Sequence, residues 1–206
     1  MGVLLQALLW ATWVSRYTMS RFDPEDKKAL DVEDQSLVLY FSYGANMHAG
    51  YLKKVRKVNT AHSHPARLNG FRICFTVKGP NFIEPGFANI APCTESFVEG
   101  VLHTITATDL ESIIASEPRE YSLKTVSVIS PKGEAIKART LISSAADKEY
   151  HPSKRYLNLL IRAARTSGLS ADYIALLQRR SVYYPVLSEL MGWVIKIMVK
   201  IKSAKD

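Results

Sequence analysis

The chain has 206 residues, 47% hydrophobic and 22% charged; these proportions exclude a disordered chain and a membrane-spanning bundle and fit one domain with its own core. A formal net charge of +8 raises the question of an anionic partner, but no segment interleaves basic residues with aromatics as single-strand binders do, so nucleic acid is not expected. Two cysteines, Cys74 and Cys93, make neither a disulfide framework nor a zinc site, and a reducing compartment, the cytoplasm, is the default.

The chain opens on an apolar stretch, residues 3–14 (VLLQALLWATWV), too short to cross a bilayer and lacking the basic start of a secretory signal. Gly2 invites myristoylation, but Gln6 stands where that motif needs Ser or Thr. Three readings stay open: an interfacial anchor, organelle targeting through residues 1–21 with Arg16 and Arg21 behind it, and an extension packed on the domain. Residues 1–35 are therefore set apart as an N-terminal extension, residues 36–185 as the domain, and residues 186–206 as a basic, apolar C-terminal extension. Within the latter, residues 191–202 (MGWVIKIMVKIK) suit a membrane surface or the exposed face of a last strand.

The domain begins with residues 37–41 (LVLYF), a β-rich run that reads as a buried strand. It leads into Ser42-Tyr43-Gly44-Ala45-Asn46, where Gly44 allows close approach and Asn46 is positioned to cap a helix over residues 47–55. Amides at such a helix start suit a carboxylate. Lys53, Lys54, Arg56 and Lys57 read as a solvated basic face. His62-Ser63-His64 puts two imidazoles on one side of a strand, but with no third ligand nearby these read as surface histidines, and no metal site is expected.

Three strands follow, over residues 71–77, 87–91 and 97–105, parted by Gly and Pro clusters. Cys74 reads as core or opposite-face packing, and His103 as a satisfied core or barrel-interior group. Thr108 and Glu111 form a capping box for a helix through Leu110, Ile113 and Ile114. Pro118 ends that helix and pushes Glu117 out of helical dihedrals. Residues 121–129 and 135–142 make a hairpin around Pro131-Lys132-Gly133-Glu134. Ser153 opens a helix closed by Gly168, and Ser170 opens another. The class is α+β, centred on a mixed sheet or small barrel.

In order and spacing, LVLYFSYGANM (37–47), ARLNGFRICF (66–75), GFANIAP (86–92), EGVLHTI (99–105), LESIIASE (110–117) with Tyr121, and PSKRYLNLLIRAARTSGLSADY (152–173) resemble the γ-glutamylcyclotransferase family, including its avirulence-induced-gene-like members. The resemblance implies a small mixed β-barrel with surrounding helices and no cofactor. It also implies a substrate loop after the first strand, involving Tyr40, Phe41, Ser42, Tyr43, Gly44, Ala45 and Asn46, a single catalytic glutamate, Glu117, and a tyrosine near the ligand, Tyr156. Two departures stand out. Ala45 replaces a serine common in relatives, and Pro118-Arg119-Glu120 follows Glu117 where relatives often have glycine, which keeps Glu111 and Glu120 as the other candidates for the acid/base.

The chemistry the resemblance implies is cyclisation of a γ-glutamyl amino acid, peptide or amine to 5-oxoproline. The substrate's own α-amine attacks its side-chain carbonyl, so no Ser, Cys or metal nucleophile is needed. The protein has to press amine onto carbonyl, an orientation worth about 7 to 11 kcal/mol in favourable systems, and to carry a proton from the attacking to the leaving nitrogen, worth roughly 10²- to 10⁴-fold. An apolar surround from Ile113, Ile114 and nearby tyrosines would help Glu117 to do so. The leaving group is open, with specificity expected around residues 80–83 and the C-terminal region, and so is the choice between monomer and homodimer. The competing functions are a catalytically silent member that binds a small ligand or a protein, and a peripheral membrane protein acting through its two ends.

Overall fold

Five strands close into a barrel in the order β1-β3-β2-β4-β5. The computed structural model describes residues 36–79, 84–144 and 148–183; the two extensions, residues 80–83 and the lysine-studded stretch 191–202 lie outside them. β1 (Leu37–Ser42) pairs antiparallel with β3 (Gly86–Thr106), from Leu37 opposite Thr106 to Ser42 opposite Val101. It also touches β5 (Ala135–Ser143) in parallel, at Tyr40 opposite Arg139, which makes the barrel mixed. β2 (His62–Lys78) pairs antiparallel with β3 and, at Arg67 opposite Ile129, with β4 (Tyr121–Ile129). The expected β4–β5 hairpin is present, turned by Gly133 at φ +85, a left-handed angle that suits glycine.

The three expected strands of residues 71–105 are instead parts of two long ones. β2 already begins at His62, and β3 runs unbroken from Gly86 to Thr106. The pairing passes over an irregularity: Asn69 lies opposite Phe97 and Phe71 opposite Pro92, so residues 93–96 face Gly70 alone. That polar bulge reads in sequence as a loop, although the ladder resumes on either side.

Among the described residues, four α-helices accompany the barrel. β1 leads through a 3-10 turn (Ala45–Met47) into α1 (Ala49–Tyr51), continued by a π-helical turn (Leu52–Arg56), rather than one helix over 47–55. His48, not Asn46, is the side-chain cap here, its ring nitrogen accepting from the Tyr51 N–H. α2 (Ala107–Ser116) starts where β3 stops, so its cap is Thr106, accepting from the Asp109 N–H, instead of Thr108; Glu111 is solvent-exposed. α3 (Lys154–Thr166) and α4 (Ala171–Gln178) are capped by Ser153 and Ser170 as the sequence indicates. Two apolar clusters result. One joins Phe41, Phe75, Val98 and Val128 to Leu160, Ala164, Tyr173 and Leu177 of α3 and α4. The other joins Tyr40, Ile105 and Leu141 to Leu52 and to Leu110, Ile113 and Ile114 of α2.

Candidate active site

Glu117 and the loop after β1 are far apart in sequence, and simple lengths bring them together. β1 and β3 are antiparallel, with Leu37 opposite Thr106. From Thr106 the ten residues of α2 run back for about 15 Å at about 1.5 Å per residue, while β1 advances by a similar distance at about 3.3 Å per residue. Leu110, Ile113 and Ile114 hold the helix against Tyr40 and Ile105 along the way. The helix therefore ends level with the end of β1. Glu117 is its C-cap, extended at φ −94 and ψ 158, as the following proline requires.

There the Glu117 carboxylate meets the loop. Its Oε1 accepts from Asn46 Nδ2 at 3.0 Å and from Arg56 Nη2 at 2.6 Å. Arg56 also donates through Nη1 to the Ser116 carbonyl at 3.1 Å. The side chains of Arg56 and Glu117 are each 17% exposed, so this ion pair is shielded far more than a surface one. Asn46 Nδ2 also lies 3.4 Å from the Tyr40 hydroxyl. Two buried atoms of this cluster, Asn46 Oδ1 and Arg56 Nε, have no hydrogen-bond partner among the described residues.

The loop is braced from behind. The Asn46 carbonyl, which can only accept, takes the Nε2–H of buried His103 at 3.0 Å. Nδ1 is then the acceptor and receives the Ser63 hydroxyl at 2.7 Å. Burial lowers the His103 pKa to about 4, against the opposing pull of the Asn46 bond, so the ring is neutral near pH 7. Ser42 lies beneath as well, its hydroxyl 3.2 Å from His103 Nε2 and 3.4 Å from the Val101 carbonyl.

Tyrosines wall the site. The Tyr156 hydroxyl accepts from the Ala88 N–H at 3.3 Å and comes within 3.5 Å of where a Cβ on Gly44 would stand. Tyr121 donates to the Ala88 carbonyl and Tyr43 to the Leu141 carbonyl. Burial first, with the charge of Glu117 acting the same way, raises the phenols of Tyr40, Tyr43, Tyr121 and Tyr156, so all four stay neutral donors at ordinary pH.

Of the residues picked out in sequence, Tyr40, Asn46 and Glu117 share one hydrogen-bonded cluster. Gly44 and Tyr156 meet beside it, and Ala45 is half-buried in the same loop. Phe41 points away into the core, its ring close to Gly100. Of the three candidate acids, Glu111 and Glu120 are exposed and only Glu117 faces the loop. Its surround is less apolar than expected, because Arg56 lies against it. Arg56 itself does not belong to a solvated basic face; it stands four residues after fully buried Leu52, and that helical spacing was the readable signal of an inward side chain. His62 and His64 lie in β2, and no group of three His, Cys, Asp or Glu among the described residues could hold a metal ion.

The model of the AIG2-like family matches residues 97–177, a span that includes Glu117 and Tyr156. The γ-glutamyl cyclotransferase gliK of Claviceps purpurea (strain 20.1) is 28% identical over 160 residues, 71% of this chain and 70% of that protein. The γ-glutamyl cyclotransferase aclK of Aspergillus oryzae (strain ATCC 42149 / RIB 40) is 25% identical over 194 residues, 82% of this chain and 68% of its own. Among solved structures, a γ-glutamyl cyclotransferase superposes with a TM-score of 0.63 at 22% identity, covering 72% of this chain and 90% of its own, a likeness of fold. An uncharacterized protein from Homo sapiens does so at 0.64 and 22%, covering 73% and 90%. By its barrel, the order of its motifs and these relatives, the chain is similar to the γ-glutamyl cyclotransferases and the AIG2-like proteins.

Proposed function

We propose that the chain cyclises a γ-glutamyl amino acid, peptide or amine to 5-oxoproline and releases the amine, with Glu117 as general acid/base and the Tyr43–Asn46 segment gripping the γ-glutamyl half. The observation that carries this is the meeting of Glu117 Oε1 with Asn46 Nδ2 at 3.0 Å: a half-buried carboxylate faces the loop, where a small zwitterion would have to lie. The names of the relatives from Claviceps purpurea and Aspergillus oryzae support the same activity.

In this reading the amide of Asn46 serves both partners. Nδ2 orients the carboxylate, and the unpartnered Oδ1 is an acceptor for an N–H of the attacking amine. Main-chain amides of the loop do not depend on the side chain at position 45, so Ala45 leaves a carboxylate grip intact. The neutral phenols of Tyr40 and Tyr156 can donate but carry no charge to repel the substrate. Glu117 takes a proton from the attacking nitrogen and returns it to the leaving one.

The test is 5-oxoproline release from γ-glutamyl dipeptides and γ-glutamyl amines. Glu117→Gln, of nearly equal shape, should lower kcat by at least about 10²-fold. No product from any of these substrates, or a Glu117→Gln variant as active as the parent, would defeat the proposal in favour of a silent ligand-binding member of the fold.

A further inference from the structure

The guanidinium of Arg56 is engaged unevenly. Nη1 is bound to the Ser116 carbonyl, Nη2 to Glu117 Oε1, and the Tyr51 ring lies 5.9 Å from its central carbon. Nε, on the same edge of the fork as Nη2, is buried and unpartnered among the described residues. That edge ordinarily holds two oxygens side by side. A buried donor left unpaired costs about 1 to 3 kcal/mol. This one lies on the same edge as the Nη2 that holds the Glu117 carboxylate.

We propose that Arg56 is a further catalytic residue, its Nε–H holding the γ-carbonyl oxygen of the substrate as that oxygen becomes an oxyanion. The inference rests on the cyclisation at Glu117 proposed above. The α-ammonium first gives up one proton to solvent; in the first bond-making step its freed amine nitrogen bonds to the γ-carbonyl carbon, the π pair of the carbonyl moves onto its oxygen, and a second proton of that nitrogen passes to Glu117. The carboxylate loses its charge as the substrate oxygen gains one. A guanidinium in reach of both keeps a counter-charge throughout, and no ion in the shielded site is left uncompensated. Collapse of the intermediate restores the carbonyl and breaks the bond to the leaving nitrogen. That nitrogen receives the proton from Glu117, and Arg56 is again paired with the carboxylate.

Arg56 also ties the end of α2 to the π-helical turn, so the test must separate catalysis from bracing. Steady-state kinetics of the full chain on a γ-glutamyl dipeptide would compare wild type, Arg56→Lys and Arg56→Ala, with and without millimolar guanidinium chloride against a sodium chloride control, alongside thermal midpoints. Arg56→Lys keeps the charge but has one nitrogen in place of the planar fork, so it cannot hold two oxygens side by side. The expected result is a kcat about 10²- to 10³-fold below wild type for both variants, with KM changed only a few-fold. Guanidinium should restore kcat saturably in Arg56→Ala and not in Arg56→Lys.

An Arg56→Lys variant with wild-type kcat, a defect confined to KM, or a folded Arg56→Ala that guanidinium does not rescue would each overturn the role of Arg56 while leaving cyclisation standing. A wild-type chain that releases no 5-oxoproline overturns cyclisation and this role together. Should Arg56→Ala not fold, the kcat of Arg56→Lys alone decides.

Discussion

Asn46 connects the site to its foundation. Its side chain orients Glu117, and its carbonyl rests on His103. The Asn46 carbonyl fixes the proton on Nε2, and in the neutral ring Nδ1 is then left to accept from the Ser63 hydroxyl. Burial enforces this by lowering the His103 pKa to about 4, with His64 adding a smaller push the same way. An unfolded chain titrates near about 6.5, so between those values the unfolded state binds a proton that the folded state refuses. The stability that neutral His103 supplies is complete above about pH 6.5 and is lost as pH falls toward 4, by about 3 kcal/mol in all. His103→Gln keeps an N–H for the Asn46 carbonyl and does not titrate. Urea midpoints measured from pH 7 to 4.5 should fall more steeply for wild type than for the variant. Parallel curves would mean that His103 is not the group responsible.

At the scale of elements, β1 and β3 approach each other closely. A Cβ on Gly100 would lie 2.3 Å from the Ser42 carbonyl oxygen and 2.7 Å from the Phe41 ring. The oxygen is backbone and cannot swing aside. Gly100→Ala should therefore cost about 3 kcal/mol, at the upper end for overpacking, and read as a lower thermal midpoint; a midpoint within a degree of wild type would show that β1 yields. The same strands mark the limit of legibility in sequence. The β4–β5 hairpin and the helices capped by Ser153 and Ser170 could be read because caps and turn glycines act within a few residues. The continuity of β3 could not, because the polar bulge at residues 93–96 is held in line by pairing with a distant strand. The capping-box pattern points to Thr108 instead of Thr106 for a related reason: β3 runs to the helix without an intervening loop.

At the scale of the whole molecule, the site depends on register. The Tyr43 to Asn46 loop is legible from its strand, glycine and helix start, whereas Pro118 marks Glu117 only as a helix exit and its role comes from the family resemblance. Their meeting follows from the antiparallel offset of β1 and β3 and the length of α2, which no local pattern states. Arg56 completes the cluster from a third segment, and among neighbouring lysines only its spacing from Leu52 distinguishes it.

The remaining whole-molecule property is charge. A net +8 creates a field that draws anions toward the protein and fades as salt is added, because the screening length falls from about 30 Å at 0.01 M to about 3 Å at 1 M. A γ-glutamyl amino acid carries two carboxylates and one ammonium, hence one net negative charge. A γ-glutamyl alkylamide carries one of each and is neutral overall. Under the proposed activity both present the same half to the loop, so their chemistry inside the site should be alike. Their approach should differ. Raising salt from about 0.01 to about 0.5 M should lower kcat/KM several-fold for the γ-glutamyl amino acid, leave that of the alkylamide nearly unchanged, and alter kcat for neither. If both substrates lose kcat/KM equally, salt is acting on the Arg56–Glu117 pair within the site, and the basic surface has no part in capture.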